Sequence, residues 1–144
     1  MKLSTRTRYG VRAILELAGN QDKGPMQIKT IAHRQEISVK YLEQLMAILK
    51  SAGFVRSVRG AKGGYILAKP ANQIKLSDVF TVLEGPVATV ECVENENYCA
   101  RAADCVTRQV WAEVQQAIMG VLQSMTLQDL VDRTKDKRAL SYQI

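Results

Sequence analysis

Residues 38–70, SVKYLEQLMAILKSAGFVRSVRGAKGGYILAKP, change hydrophobic period midway, and this constrains the fold more than any other feature of the chain. Leu42, Leu45, Met46 and Leu49 recur at helical spacing behind Ser38, a good N-cap, with Ile37 and Leu42 placed as a hydrophobic staple. Gly53 closes that helix. FVRSV and YILA then read as two short strands around the glycine-rich turn RGAKGG, and Pro70 ends the hairpin. Upstream, Tyr9, Ala13, Ile14, Leu17 and Ala18 mark an amphipathic helix from Thr7 to Gly19, and Ile28, Ile31 and Ala32 a short one ending near Gln35. Two short helices with a hairpin after the second outline a winged helix-turn-helix.

Downstream, Ser77 is expected to cap a short helix with Val79, Val82 and Leu83 inside, stopped by Gly85-Pro86. Val110, Val114, Ala117, Ile118, Val121, Leu122 and Met125 stripe a long helix from about Cys105 to Ser124. No second long helix is legible to cover it, so it is predicted to pack on the first helix and on its own copy in a homodimer. Thr126-x-x-Asp129 resembles a capping box for a last short helix, Leu127 to Val131, before a mobile charged tail. The predicted architecture is mainly α with a small β-hairpin wing. Residues 1–85 form the winged helix-turn-helix DNA-binding domain, 86–105 a cysteine-containing sensor loop, 106–131 the long C-terminal dimerisation helix with a short terminal helix, and 132–144 the tail.

Charge separates the two halves. Residues 1–70 hold thirteen Lys and Arg against four Asp and Glu, a net +9, whereas residues 71–144 hold seven against ten, a net −3. A basic N-terminal half suits a polyanion, since each cation that meets a phosphate releases condensed counterions. On the third helix Lys40, Glu43, Gln44 and Ala47 face away from the apolar stripe, where a recognition helix presents side chains to base edges. Gln44 suits adenine and Glu43 the cytosine amino group, while Ser38 and Tyr41 suit phosphate. Arg59 and Gly60 at the hairpin tip, with Lys62 beside them, suit a narrow minor groove. The expected DNA-binding set is Tyr9, Ser38, Val39, Lys40, Tyr41, Glu43, Gln44, Arg59, Gly60 and Lys62, facing a double-stranded DNA operator. His33, the only histidine, reads as a surface or packing residue, and Trp111 as a core or dimer contact.

All three cysteines, Cys92, Cys99 and Cys105, fall within ECVENENYCARAADCVTRQVW. An odd, tight cluster reads as a metal site or redox sensor in a reducing compartment, and soft thiolates favour iron–sulfur or zinc. A zinc site of three Cys and one other ligand, and bare thiols that sense oxidation directly, are the alternatives. The N-terminus MKLSTRTRYG turns charged at once and no apolar run reaches membrane-spanning length, so a cytoplasmic protein without a membrane partner is expected. No Ser/His/Asp set or phosphate-binding loop suggests an enzyme. A redox or metallochaperone protein docking an acidic partner is the rival from another class, though it leaves the helix face and the wing without a purpose.

The helix-and-wing stretch, RYGVRAILELA before it and the three-Cys segment after it resemble the IscR/NsrR (Rrf-two) family of winged-helix transcription regulators. The resemblance implies a homodimer whose long helices cross, each subunit placing a recognition helix in a major groove and a wing in a minor groove. It implies that Cys92, Cys99 and Cys105 are thiolate ligands of an iron–sulfur cluster, [2Fe-2S] in preference to [4Fe-4S]. The chain departs from the pattern at the fourth ligand. Many IscR-like members carry a His where this chain has Arg108, and NsrR-like members an acidic residue near where it has Arg8. The interval between Cys92 and Cys99 is also one residue longer than the common one. Glu91, Glu94, Glu96, Tyr98, Asp104 or a small molecule stay open as that ligand.

Overall fold

The structure, a computed structural model, describes residues 2–88 and 91–142. Helix α1 (Thr5–Gly19) runs through the centre, with Ala13, Ile14, Leu17 and Ala18 buried. Around it lie α2 (Ile28–Gln35), α3 (Val39–Ser51) and α4 (Leu76–Glu84), with the hairpin β1 (Val55–Val58) and β2 (Gly64–Leu67). The strands pair antiparallel, Val55 opposite Leu67 and Val58 opposite Gly64. A short helix α5 (Glu91–Glu94) leads through turns to α6 (Val106–Gln123), and α7 (Leu127–Tyr142) ends the described chain.

Several local signals act as the sequence indicates. Ser38 caps α3 by accepting from the Tyr41 N–H at 3.1 Å, and Leu42, Leu45, Met46 and Leu49 are buried to 1% exposure or less. The α2–α3 turn is built without glycine: Glu36 takes a left-handed φ of 55°, and the Ile37 N–H reaches the Ala32 carbonyl at 3.0 Å. Thr126 and Asp129 form a reciprocal capping box, Thr126 N–H to Asp129 Oδ2 at 2.8 Å and Asp129 N–H to Thr126 Oγ1 at 3.2 Å.

Other expectations are corrected. Lys75, not Ser77, holds the N-cap position of α4; Ser77 is buried inside the first turn, its carbonyl accepting from the Thr81 hydroxyl. Val79, Phe80 and Leu83 form the inner face of α4, and Val82 points outward. α6 lies along α4 and not along α1, because α7 covers α1 with the buried side chains Leu127 and Val131. α7 itself does not stop at Val131. It carries no glycine or proline, and Gln128 bonds Asp132 one turn on at 3.0 Å, so the segment expected as a mobile tail is helical through Tyr142; residues 143–144 lie outside the described chain.

The start of α1 is locked to the end of α4. The Glu84 carboxylate accepts from the Ser4 hydroxyl at 2.6 Å, from the Ser4 N–H at 3.2 Å and from the buried Thr7 hydroxyl, while Gly10 leaves room for Leu83. A Cβ at position 10 would lie 2.6 Å from Leu83 Cδ1. The hydroxyl bonds from Ser4 and Thr7 hold the Glu84 carboxyl below the usual carboxylate range. Such a group adds stability above its unfolded pKa, and the contribution disappears as pH falls through the lowered folded value. Glu84→Gln should therefore lower the thermal midpoint at neutral pH. The gap from the unmodified chain should close on acidification, as read by circular dichroism melts from neutral pH down to about pH 3; a gap of constant size would show that the charge is immaterial.

Candidate nucleic-acid interface and cysteine loop

Burying its apolar stripe against α1 and α4 leaves α3 with Lys40, Glu43, Gln44 and Ala47 outward and Val39 and Tyr41 half-buried at its first turn. Glu43 and Gln44 thus end in free polar groups beyond the helix surface, as base-edge contact requires. Ser38 is exposed; its oxygen is occupied as the cap acceptor, but its hydroxyl proton remains available to a phosphate oxygen.

Tyr41 meets Tyr9 edge to face, ring centroids 6.2 Å apart at 85°. Arg8 and Arg12 sit over the Tyr9 ring at 5.8 and 5.4 Å. Arg12 donates further to Gln35, 2.7 Å to Oε1 and 2.9 Å to the carbonyl, and Gln35 donates to Glu16 at 2.5 Å. Tyr9 and Arg12 therefore fix both ends of the α2–α3 turn to α1. The sequence gives no sign of Arg12 or Gln35 in this role, because their pairing joins residues 23 positions apart on different helices.

Hydrogen bonds also fix the wing relative to α3. Met26 and Tyr65 exchange backbone bonds of 3.0 and 2.9 Å, adding the segment before α2 as a third edge to the hairpin. Lys50 Nζ donates to Ser57 Oγ at 3.0 Å, joining the last turn of α3 to β1. The glycine pair in RGAKGG is needed for close approach. A Cβ on Gly63 would lie 2.1 Å from the Val58 carbonyl, and one on Gly64, at φ 147°, 2.4 Å from the Met26 carbonyl. At the tip Arg59, Gly60 and Lys62 are exposed, and nothing stands within 4 Å of a Cβ placed on Gly60. Helix face and wing tip are thus two outward features on one braced frame.

In the cysteine segment Cys92 and Cys105 are half-buried, Cys99 is exposed, and none is in a disulfide. Cys105 occupies the N-cap position of α6 with its sulfur 3.1 Å from Thr107 Oγ1. That hydroxyl, the Arg108 N–H and the nearby Arg101 charge together lower the Cys105 pKa, as expected for a thiol at a helix start. Arg108, at the position of the relatives' expected histidine, donates from Nε to the Cys92 carbonyl at 2.7 Å and from Nη1 to the Ala102 carbonyl at 3.5 Å. Its Nη2 lies 3.9 Å from Glu96, and Gln115 of α6 donates to Glu94 at 2.6 Å. A guanidinium has no lone pair for a metal, so Arg108 acts here as a tie across the loop. Among the described residues no three His, Cys, Asp or Glu side chains lie close enough to hold one metal ion. Cys92, Cys99 and Cys105 are thus not drawn together into one donor set in this conformation.

α6 leaves Val106, Val110, Trp111, Val114 and Val121 exposed, and none of its residues is buried within the chain.

Residues 3–133 match the family described as Rrf2, iron-dependent transcriptional regulator. The chain is 47% identical to the protein rrf2 of Nitratidesulfovibrio vulgaris over 131 residues, 91% of this chain and 87% of that protein. It superposes on the structure of CymR, the global cysteine regulator of B. subtilis, with a TM-score of 0.80 and 40% identity over 92% of this chain and 98% of that one. It superposes on T. potens IscR with a TM-score of 0.79 and 42% identity over 95% and 90%. No helix among the described residues is long and apolar enough to cross a membrane. With a winged helix-turn-helix whose reading face and wing tip stand outward, and with relatives that are transcriptional regulators rather than enzymes, the chain belongs to the Rrf2 family of DNA-binding transcriptional regulators.

Proposed function

We propose that two copies of this chain associate through the exposed row of α6 and bind an operator with paired recognition helices. Each α3 enters a major groove, where Glu43 and Gln44 meet base edges, while Ser38, Lys40 and Tyr41 meet the backbone and Tyr9 positions Tyr41. Each wing sends Arg59 towards the adjoining minor groove, with Gly60 allowing close approach and Lys62 on the phosphates. One observation carries this reading: α3 and the wing are braced by Lys50–Ser57 and Met26–Tyr65 while their outward polar groups stay uncommitted. An α6 pairing suits the two-fold symmetry of most operators, and its apolar row has the composition of a homodimer interface.

The signal is read at the cysteine loop. Similarity to IscR supports an iron–sulfur cluster on Cys92, Cys99 and Cys105, [2Fe-2S] before [4Fe-4S]. The loop as folded favours a second reading, direct oxidation of Cys105. Its thiolate is stabilised at the foot of α6, the helix that would join the copies, so a change there shifts the population of dimer geometries.

For DNA, Arg59→Ala should weaken operator binding by about tenfold and relax preference beside the major-groove half-sites, whereas Glu43→Ala should widen the range of sequences bound. Equal loss on every duplex for Arg59→Ala, or unchanged selectivity for Glu43→Ala, in gel-shift titrations at fixed salt would reject those roles. For the loop, anaerobic purification followed by an absorption spectrum with iron and sulfide analysis separates the readings. A coloured protein with stoichiometric sulfide supports the cluster. A colourless one whose Cys105 is alkylated by iodoacetamide with a midpoint below that of free cysteine supports thiol sensing. Thr107→Val should then move that midpoint upward, because it removes the largest cause of the lowered value.

A further inference from the structure

Away from both the outward face of α3 and the cysteine loop, α1, the end of α2 and α7 line a half-open cavity of about 460 Å³. Its wall carries Arg12, Lys23, Arg34, Lys135 and Arg138 against a single carboxylate, Glu16. Arg12 is engaged with Gln35, and Arg34 lies 3.4 Å from Glu16. Lys23, Lys135 and Arg138 have no ion-pair partner among the described residues, so three positive charges face one concave volume without a counter-charge. Like charges gathered this way repel one another, and a bound anion relieves the repulsion. Leu15 and Val131 add an apolar wall, and the volume is that of a small-molecule site.

We propose that this cavity binds a small organic anion with at least two negative charges, a di- or tricarboxylate or a phosphate ester, and that the ligand bridges α7 to the end of α2. Lys135 and Arg138 would hold one end and Lys23 the other, while Arg34 exchanges part of its pairing with Glu16 for the ligand. Arg34 and Gln35 directly precede the Glu36 turn into α3, so occupation bears on the setting of the recognition helix. The site stands apart from the sensor loop, and its test does not depend on how that loop reads its signal.

The probes are citrate and inorganic pyrophosphate, titrated calorimetrically into the intact protein, with sodium chloride at matched ionic strength as reference. Saturable binding is expected, with a Kd weaker by about tenfold or more for Lys135→Gln/Arg138→Gln. Lys23→Gln, which lies outside any helix, should give a smaller loss in the same direction if the α7 variant folds poorly. Heats indistinguishable from sodium chloride, or equal affinity in the variants, would overturn the site. Displacement of citrate by random duplex DNA, together with a uniform loss of DNA affinity and a shallower salt dependence in the double variant, would assign these cations to the DNA backbone and equally overturn it.

Discussion

The close seat of α1 on α4 is the constraint on which the remaining geometry rests. Gly10 lets Leu83 approach to a distance that any larger residue would forbid, and Glu84 closes the seam by accepting from Ser4 and Thr7 at the first turn of α1. The carboxylate also faces the positive end of the α1 dipole, so the contact is favourable twice over. With α1 fixed, its other sides set the angles of the functional parts. Tyr9 and Arg12 orient the α2–α3 turn, Ile14 and Leu17 support α3 in the core, and α7 closes the flank with Leu127 and Val131. α3 is thus held to α1 both at its first turn and along its buried stripe.

The winged helix is legible in the sequence because its signals are local. The α3 stripe, the Ser38 cap, the hairpin turn and the Thr126/Asp129 box each depend on residues a few positions apart, and each forms as the spacing indicates. Ser77 misleads because a good capping residue stands two positions past the true N-cap, where the backbone bond of Leu76 to Met125 begins the helix earlier. The tail misleads because mixed charge reads as disorder, whereas an uninterrupted run of helix formers continues a capped helix once Leu127 and Val131 anchor it. The brace of the wing on Met26, the Arg12–Gln35 tie and the basic cavity join segments far apart in sequence, and no pattern within one window could display them.

Arg108 shows how far a resemblance carries. The position of the relatives' expected histidine is legible in the sequence, and so is the consequence that a guanidinium cannot ligate. What the side chain does instead is not, because both bonds run to backbone carbonyls, which any sequence supplies. In the structure Arg108 is a tie that joins the Cys92 and Ala102 backbone at the start of α6.

Charge-assisted bonds to carbonyls contribute about 1.5–3 kcal/mol each when shielded, and Arg108 is only half-buried, so the lower end applies. Two such bonds are enough to hold the Cys92 and Ala102 backbone against the first turn of α6. Because α6 rests on α4, and α4 on the Gly10 seat of α1, the tied loop is joined to α1 through one run of packed helices.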